Sequence, residues 1–206
     1  MPDTTALIVA AGRGIRAGGA LPKQYRTIGG VPVLRRTLDR FLGHPAELNV
    51  LVVIGDQDSD LYRDIAPQHS RLLPPVIGGA DRQSSVLKGL ARLDATPPRH
   101  VLIHDGVRPF ATDALIDRVT AALDEAEAVV PTVPVASTLK AVDDYGRVTA
   151  TVPREGLQAA ETPQGFHFAM IRAAHESAAA EGLTFTDDAA VAEWAGVPVR
   201  AVPGEA

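Results

Sequence analysis

The sequence contains no cysteine. That excludes disulfide frameworks, thiolate catalysis and cysteine-ligated zinc, and it fits a reducing compartment. Long apolar runs are missing too: none approaches the roughly 20 residues that a membrane-spanning helix needs. The opening residues, Met1-Pro2-Asp3-Thr4, lack the basic stretch and apolar run of a secretory signal. Nor is there an excess of positive charge. The formal net charge of -5 gives no support to nucleic-acid binding. The expectation is a cytoplasmic protein with neither a membrane nor a nucleic-acid partner.

What is present is the composition of a globular protein. The 206 residues suffice for one domain with a sizeable core, and 46% hydrophobic against 22% charged residues is not a disordered balance. Short apolar runs alternate with longer amphipathic segments. The runs Ala6–Ala10, Val50–Ile54, Val76–Ile77, Val101–His104 and Val129–Val133 read as strands. Between them Pro32–Leu42, Leu61–Pro67, Asp81–Leu93 and Thr112–Glu125 carry helical spacing, with Asp81 and Thr112 as N-caps. Repeated strand-helix order predicts an α/β, Rossmann-like, doubly wound and mostly parallel sheet. Ligands of such sheets sit beyond the carboxyl ends of the strands, so the loops 11–22, 78–81 and 105–109 are expected to converge.

After Pro134 the pattern changes. Thr138–Val142 and Val148–Val152 flank Asp143-Asp144-Tyr145-Gly146 and read as a hairpin. It either packs on another subunit as a dimerisation arm or lies on its own domain. Beyond it, Phe168–Glu181 reads as a helix stopping at Gly182, Thr186-Asp187-Asp188 as the cap of a short helix through Trp194, and Val197–Val202 as a last strand.

Three stretches carry chemistry. Residues 11–23 combine Gly12, Gly14, Gly18 and Gly19 with Arg13, Arg16 and Lys23. Glycines let backbone amides close on a ligand, and cations in the same loop suit a polyphosphate. The competing reading is an ordinary strand-to-helix connection with solvated arginines. Gly12 to Ala17 matches a dinucleotide fingerprint in form, yet the acid expected about 20 residues later is absent, which disfavours hydride transfer. Gly78-Gly79-Ala80-Asp81-Arg82-Gln83-Ser84-Ser85 permits close approach to a flat base. There Ser85 either donates to a ligand or completes the first helical turn, and Arg82 reads as a solvated helix-start residue. His104-Asp105-Gly106-Val107-Arg108-Pro109 offers Asp105 as a Mg²⁺ carboxylate and Arg108 as an anion contact, against a turn in which the two simply pair. His104 reads as a hydrogen-bonded structural histidine.

Taken in order, these motifs resemble the 2-C-methyl-D-erythritol 4-phosphate cytidylyltransferase family. The matching residues are Ala10-Ala11-Gly12-x-Gly14-x-Arg16, Pro22-Lys23-Gln24-Tyr25, Gly78-Gly79-x-x-Arg82-x-x-Ser85 and His104-Asp105-x-x-Arg108-Pro109. Pro134-Val135, Thr138-x-Lys140, Thr162-Pro163-Gln164-Gly165-Phe166 and Thr186-Asp187-Asp188-Ala189 continue the match. The resemblance implies attack of a methylerythritol phosphate oxygen on the α-phosphate of CTP, with Mg²⁺ as cofactor. It implies that Arg16 and Lys23 stabilise the transition state. CTP is then held by Ala10, Ala11, Gly12, Gly14, Gly79 and Ser85, with Asp105 and Gly106 at the metal and ribose. Arg108, Thr138, Arg154 and Thr162 would place the second substrate, Thr138 and Arg154 from the arm (about 137–155) of a homodimer partner.

Three departures qualify the match. Ser137 stands where the family commonly has Asp, and Gly106-Val107 replaces a pair of alanines, which leans toward ribitol-5-phosphate cytidylyltransferases. The family also continues past Val202-Pro203-Gly204 into a segment with a substrate-positioning lysine. The expectation is one nucleotidyltransferase domain over 1–206, clipped at its end or cut from a longer two-domain enzyme. A nucleotide-binding homologue without turnover is the remaining alternative.

Overall fold

The structure is a computed structural model that describes residues 3–12 and 21–205. In chain order among the described residues, β1 (Thr4–Ala10) is followed by a 3₁₀ turn (Lys23–Tyr25) and by the two-residue strands β2 (Thr27–Ile28) and β3 (Val31–Pro32). Then follow α1 (Val33–Leu42), β4 (Asn49–Ile54), α2 (Ser59–Ile65), β5 (Val76–Ile77), α3 (Arg82–Leu93), β6 (His100–Asp105), α4 (Asp113–Ala122) and β7 (Ala128–Pro134). The arm comprises β8 (Leu139–Val142) and β9 (Val148–Val152). The chain closes with β10 (Gln158–Ala160), β11 (Gln164–His167), α5 (Phe168–Ala180), α6 (Asp188–Trp194) and β12 (Val199–Pro203).

The main sheet runs β10-β7-β11-β6-β1-β4-β5, with β12 also on β7. Pairings of β1 with β4 and β6, β4 with β5, and β12 with β7 are parallel; β10 and β11 run antiparallel to their neighbours. Successive side chains of a strand face opposite sides, and β1 shows the consequence. Ala6, Ile8 and Ala10 join Leu34, Leu38 and Phe41 of α1 and Ile116 and Val119 of α4 in one buried cluster. Leu7 joins Val86 and Leu90 of α3, Ile171 of α5 and Ala192 of α6 in the other. The sheet is therefore covered on both faces, as the predicted doubly wound architecture requires.

Local chemistry sets the helix starts. Asp81 accepts from the Ser84 amide at 2.7 Å in a capping box, and Thr112 accepts from the Leu115 amide at 3.1 Å. Gly89 lets α3 lie close on the sheet: a Cβ there would meet Leu7 Cδ1 at 2.5 Å. Most expected elements occur with ends shifted by one or two residues. The last strand starts at Val199 rather than Val197, and β10 and β11 lie where no strand was expected. Gln158-Ala159-Ala160 and Gln164-Gly165-Phe166-His167 are poor in β-branched residues, so their pairing with β7 and β6 comes from tertiary context.

The arm is a separate two-stranded ribbon. All of β9 is exposed, and Tyr145 at the turn is 82% exposed. Among the described residues no helix is long and apolar enough to cross a membrane.

Candidate active site

A cavity of about 1020 Å³ opens at the carboxyl ends of β1, β4, β5 and β6. The described parts of the three expected loops line it through Ala11 and Gly12, Gly78 to Asp81, and Asp105 with Val107. A fourth loop, Gly55 and Asp56 after β4, contributes as well. Arg16 and Gly14 lie outside the described residues.

Lys23 reaches this cavity from the 3₁₀ turn. Pro22 holds φ at -57° ahead of it, and the Tyr25 amide closes on the Pro22 carbonyl at 3.0 Å. The next residue anchors the turn. Gln24, 1% exposed, donates from Nε2 to the Ala10 carbonyl at 2.7 Å and to Asp58 Oδ2 at 3.3 Å. The lysine is thus pinned through its neighbour to the end of β1.

In the second loop, Ser85 donates from Oγ to the Asp81 carbonyl at 2.7 Å and accepts from the Gly79 amide at 3.0 Å. Its single hydroxyl proton is therefore committed to the helical turn, while its oxygen orders Gly79. Gly78 is packed tightly, since a Cβ there would meet Ala11 Cβ at 2.5 Å. Lys88 donates from Nζ to the Gly78 carbonyl at 2.8 Å and also lines the cavity.

The third loop is built around a neutral histidine. His104 is fully buried, with Nε2 2.9 Å from the Arg108 carbonyl and Nδ1 3.0 Å from Thr162 Oγ1. A carbonyl only accepts, which assigns the proton to Nε2 and makes Nδ1 the acceptor of the Thr162 hydroxyl. Burial pushes the imidazole down to about 4, consistent with the neutral form. Thr162 in turn lies behind Asp105, whose amide points at its oxygen at 3.5 Å. Gly106 packs against β1, where a Cβ would stand 3.0 Å from Ala10 Cβ.

Asp105, 29% exposed at its side chain, accepts from Arg108 Nε at 3.1 Å and from Arg82 Nε at 3.4 Å. The expected Asp105–Arg108 pairing exists, and a second arginine joins it. Arg82 is not the solvated residue that its position at a helix start suggests. It also donates from Nη2 to Asp188 Oδ2 at 2.7 Å, and Asp188 is 0% exposed. Burial raises the Asp188 carboxyl, but hydrogen bonding from His175 and the charge of Arg82 outweigh it and hold the group below its usual range.

The structure thus gathers Ala10, Ala11, Gly12, Lys23, Gly79, Ser85 and Asp105 around one cavity. Gly106, Arg108 and Thr162 sit in or behind the third loop. Thr138 and Arg154 belong to the arm and line none of it. Arg154 donates to the Ala136 carbonyl beside a shallower cavity of about 500 Å³ between Pro134 and Gln158. Gln24, Asp58 and Lys88 were not legible as site-building residues. A glutamine adjoining the lysine was the available signal for Gln24, whereas nothing local marks the other two.

Among the described residues no group of three or more His, Asp or Glu forms a metal cage. Asp105 is a part-exposed carboxylate of the cavity whose two oxygens each meet an arginine, Oδ1 Arg82 and Oδ2 Arg108; their remaining lone pairs fit Mg²⁺, which draws most of its ligands from phosphates and water.

A doubly wound sheet with a glycine-lined cavity at its strand ends defines an α/β protein whose cavity lies where such sheets take their ligands. The sequence model of 2-C-methyl-D-erythritol 4-phosphate cytidylyltransferase matches residues 4–206, and the chain belongs to that family. A curated relative from Nitrobacter winogradskyi, a bifunctional enzyme IspD/IspF, is 51% identical over 204 residues, covering 98% of this chain and 51% of its own. The chain spans about half the length of the curated relatives it matches. Among solved structures, the 4-diphosphocytidyl-2C-methyl-D-erythritol synthase of Anaerococcus prevotii superposes with a TM-score of 0.83 at 32% identity, covering 98% of this chain and 89% of that one. The 2-C-methyl-D-erythritol 4-phosphate cytidylyltransferase of Thermus thermophilus gives 0.77 at 34% identity, covering 97% and 88%.

Proposed function

We propose that this chain transfers CMP from CTP to 2-C-methyl-D-erythritol 4-phosphate, a step of isoprenoid-precursor synthesis. A phosphate oxygen of the acceptor attacks the α-phosphorus of CTP. The bond to the β-phosphate oxygen breaks, and pyrophosphate leaves with 4-diphosphocytidyl-2-C-methyl-D-erythritol as product. Catalysis of such a transfer rests on placing the reactants and neutralising charge as it develops. The observation that carries this reading is Lys23 at the mouth of a glycine-lined cavity, held there through the Gln24–Ala10 hydrogen bond. Arg16 is assigned the same task by its place in the motif.

In this reading Ala10 to Gly12, Gly14, Gly79 and Ser85 hold the nucleotide, Ser85 by ordering the Gly79 amide. Asp105 would hold Mg²⁺, which when bound offsets triphosphate charge. Arg108 and Thr162 shape the acceptor side. The exposed arm packs on a second copy, so that Thr138 and Arg154 complete the acceptor site across a homodimer. The chain acts as one cytoplasmic nucleotidyltransferase domain. The family match favours methylerythritol phosphate over ribitol 5-phosphate as acceptor.

The test is pyrophosphate release with CTP, Mg²⁺ and each sugar-alcohol phosphate in turn. Turnover of methylerythritol phosphate alone supports the reading. Turnover confined to ribitol 5-phosphate, or CTP binding with no turnover of either, overturns it.

A further inference from the structure

We infer that Asp188 and His175 are positioning residues for the nucleotide site, forming a buried bracket that holds Arg82 against Asp105. The inference rests on the proposed CTP site. Asp188 Oδ2 accepts from Arg82 Nη2 at 2.7 Å, and its Oδ1 lies 3.1 Å from His175 Nε2, with both Asp188 and His175 side chains 0% exposed. His175 Nδ1 is buried without a partner among the described residues. His175 meets Asp188 through Nε2, and the Arg82 guanidinium supplies a fixed positive charge on the other carboxylate oxygen.

The guanidinium spans two carboxylates through different nitrogens, Nη2 to Asp188 and Nε to Asp105, while the side chain lines the cavity. Charges alternate along Asp188, Arg82, Asp105 and Arg108. The bracket sets the direction of Arg82 and, through it, of the Asp105 carboxylate that faces the nucleotide.

Helix capping does not account for Asp188. The start of α6 has its own clasp: Asp187 Oδ1 accepts from the Ala190 amide at 2.9 Å, and Gln164 Oε1 accepts from the Ala189 amide at 2.9 Å. Gln164 Nε2 then donates to Asp187 Oδ2 at 2.8 Å. Nor is a buried ion pair an efficient source of stability, because desolvation offsets most of the attraction. Its geometry is better suited to orienting the group it holds.

The experiment is a calorimetric titration of CTP with Mg²⁺ into the unsubstituted chain, Asp188→Asn, Arg82→Gln and the double variant. Each single change is expected to weaken CTP binding about tenfold, and the double variant no further than the weaker single, the non-additivity of residues acting as one unit. Losses that multiply in the double variant, or an Asp188→Asn chain that binds CTP normally, overturn the bracket. Arg82→Lys is the control that does not depend on the buried site tolerating substitution. It keeps the charge but lacks the fork, so it should bind CTP as weakly as Arg82→Gln, and unchanged affinity overturns the proposal. Failure of the unsubstituted chain to bind CTP would instead remove the nucleotide site itself, and the bracket's role with it.

Discussion

Gln24 Nε2 and the Ala10 carbonyl, 2.7 Å apart, join the lysine turn to the last residue of β1. The bond makes the position of Lys23 a property of the central sheet rather than of a surface loop. Gln24→Ala should remove this bond and leave the buried Asp58 and Ala10 oxygens short of a donor. The expected cost is about 1–3 kcal/mol of folding stability. Urea unfolding, alongside a fall in pyrophosphate release, measures both consequences in one variant.

Lys23 itself is expected to act on the transition state. Lys23→Ala should lower turnover by roughly 10²–10³-fold and change CTP affinity only a few-fold, as for other fixed groups aimed at developing charge. Steady-state kinetics with a direct CTP titration separate the two. An equal loss in both would mean that Lys23 binds ground-state phosphate and nothing more.

His104 gives the protein a pH dependence. Its folded value is about 4 against an ordinary 6.5, so the unfolded chain takes up the proton first as pH falls. Stability from this group is full above about pH 6.5 and is lost progressively toward pH 4, by about 3 kcal/mol in all. Asp81 and Asp188 are both lowered from 3.8, so their losses begin only at the foot of this window and fall mostly below it. Unfolding free energies at pH 7.5 and 4.5 should therefore differ less in His104→Gln than in the unsubstituted chain.

The arm leaves Val142, Tyr145 and Val148 at 55%, 82% and 61% exposure, a ribbon without a core of its own. A two-stranded ribbon is marginal in water unless something packs on it. Replacing Tyr145 and Val148 with serine should shift the chain from dimer to monomer in sedimentation, and turnover should fall with it. A monomeric unsubstituted chain would place the arm on its own domain.

The glycine loops, the Asp81 and Thr112 caps and the strand-helix alternation could all be read along the chain. Each is encoded by residues within a few positions of one another. The resemblance carried the reading further, to Lys23, Gly79 and Asp105, which do meet at one cavity. Arg82 shows where local reading stopped. At a helix start an arginine is ordinarily solvated, and nothing near it indicates a buried carboxylate as partner.

The sequence by itself determined a doubly wound α/β fold and which strand ends would converge on one cavity, because periodicity, capping and glycine placement act over short spans of chain. Tertiary structure alone decided that Arg82 would meet Asp188, 106 positions away, that Thr162 would donate to His104, and that two strands poor in β-branched residues would complete the sheet. Those pairings follow from chain closure and desolvation, which bring distant polar groups into one buried space where each must find a partner.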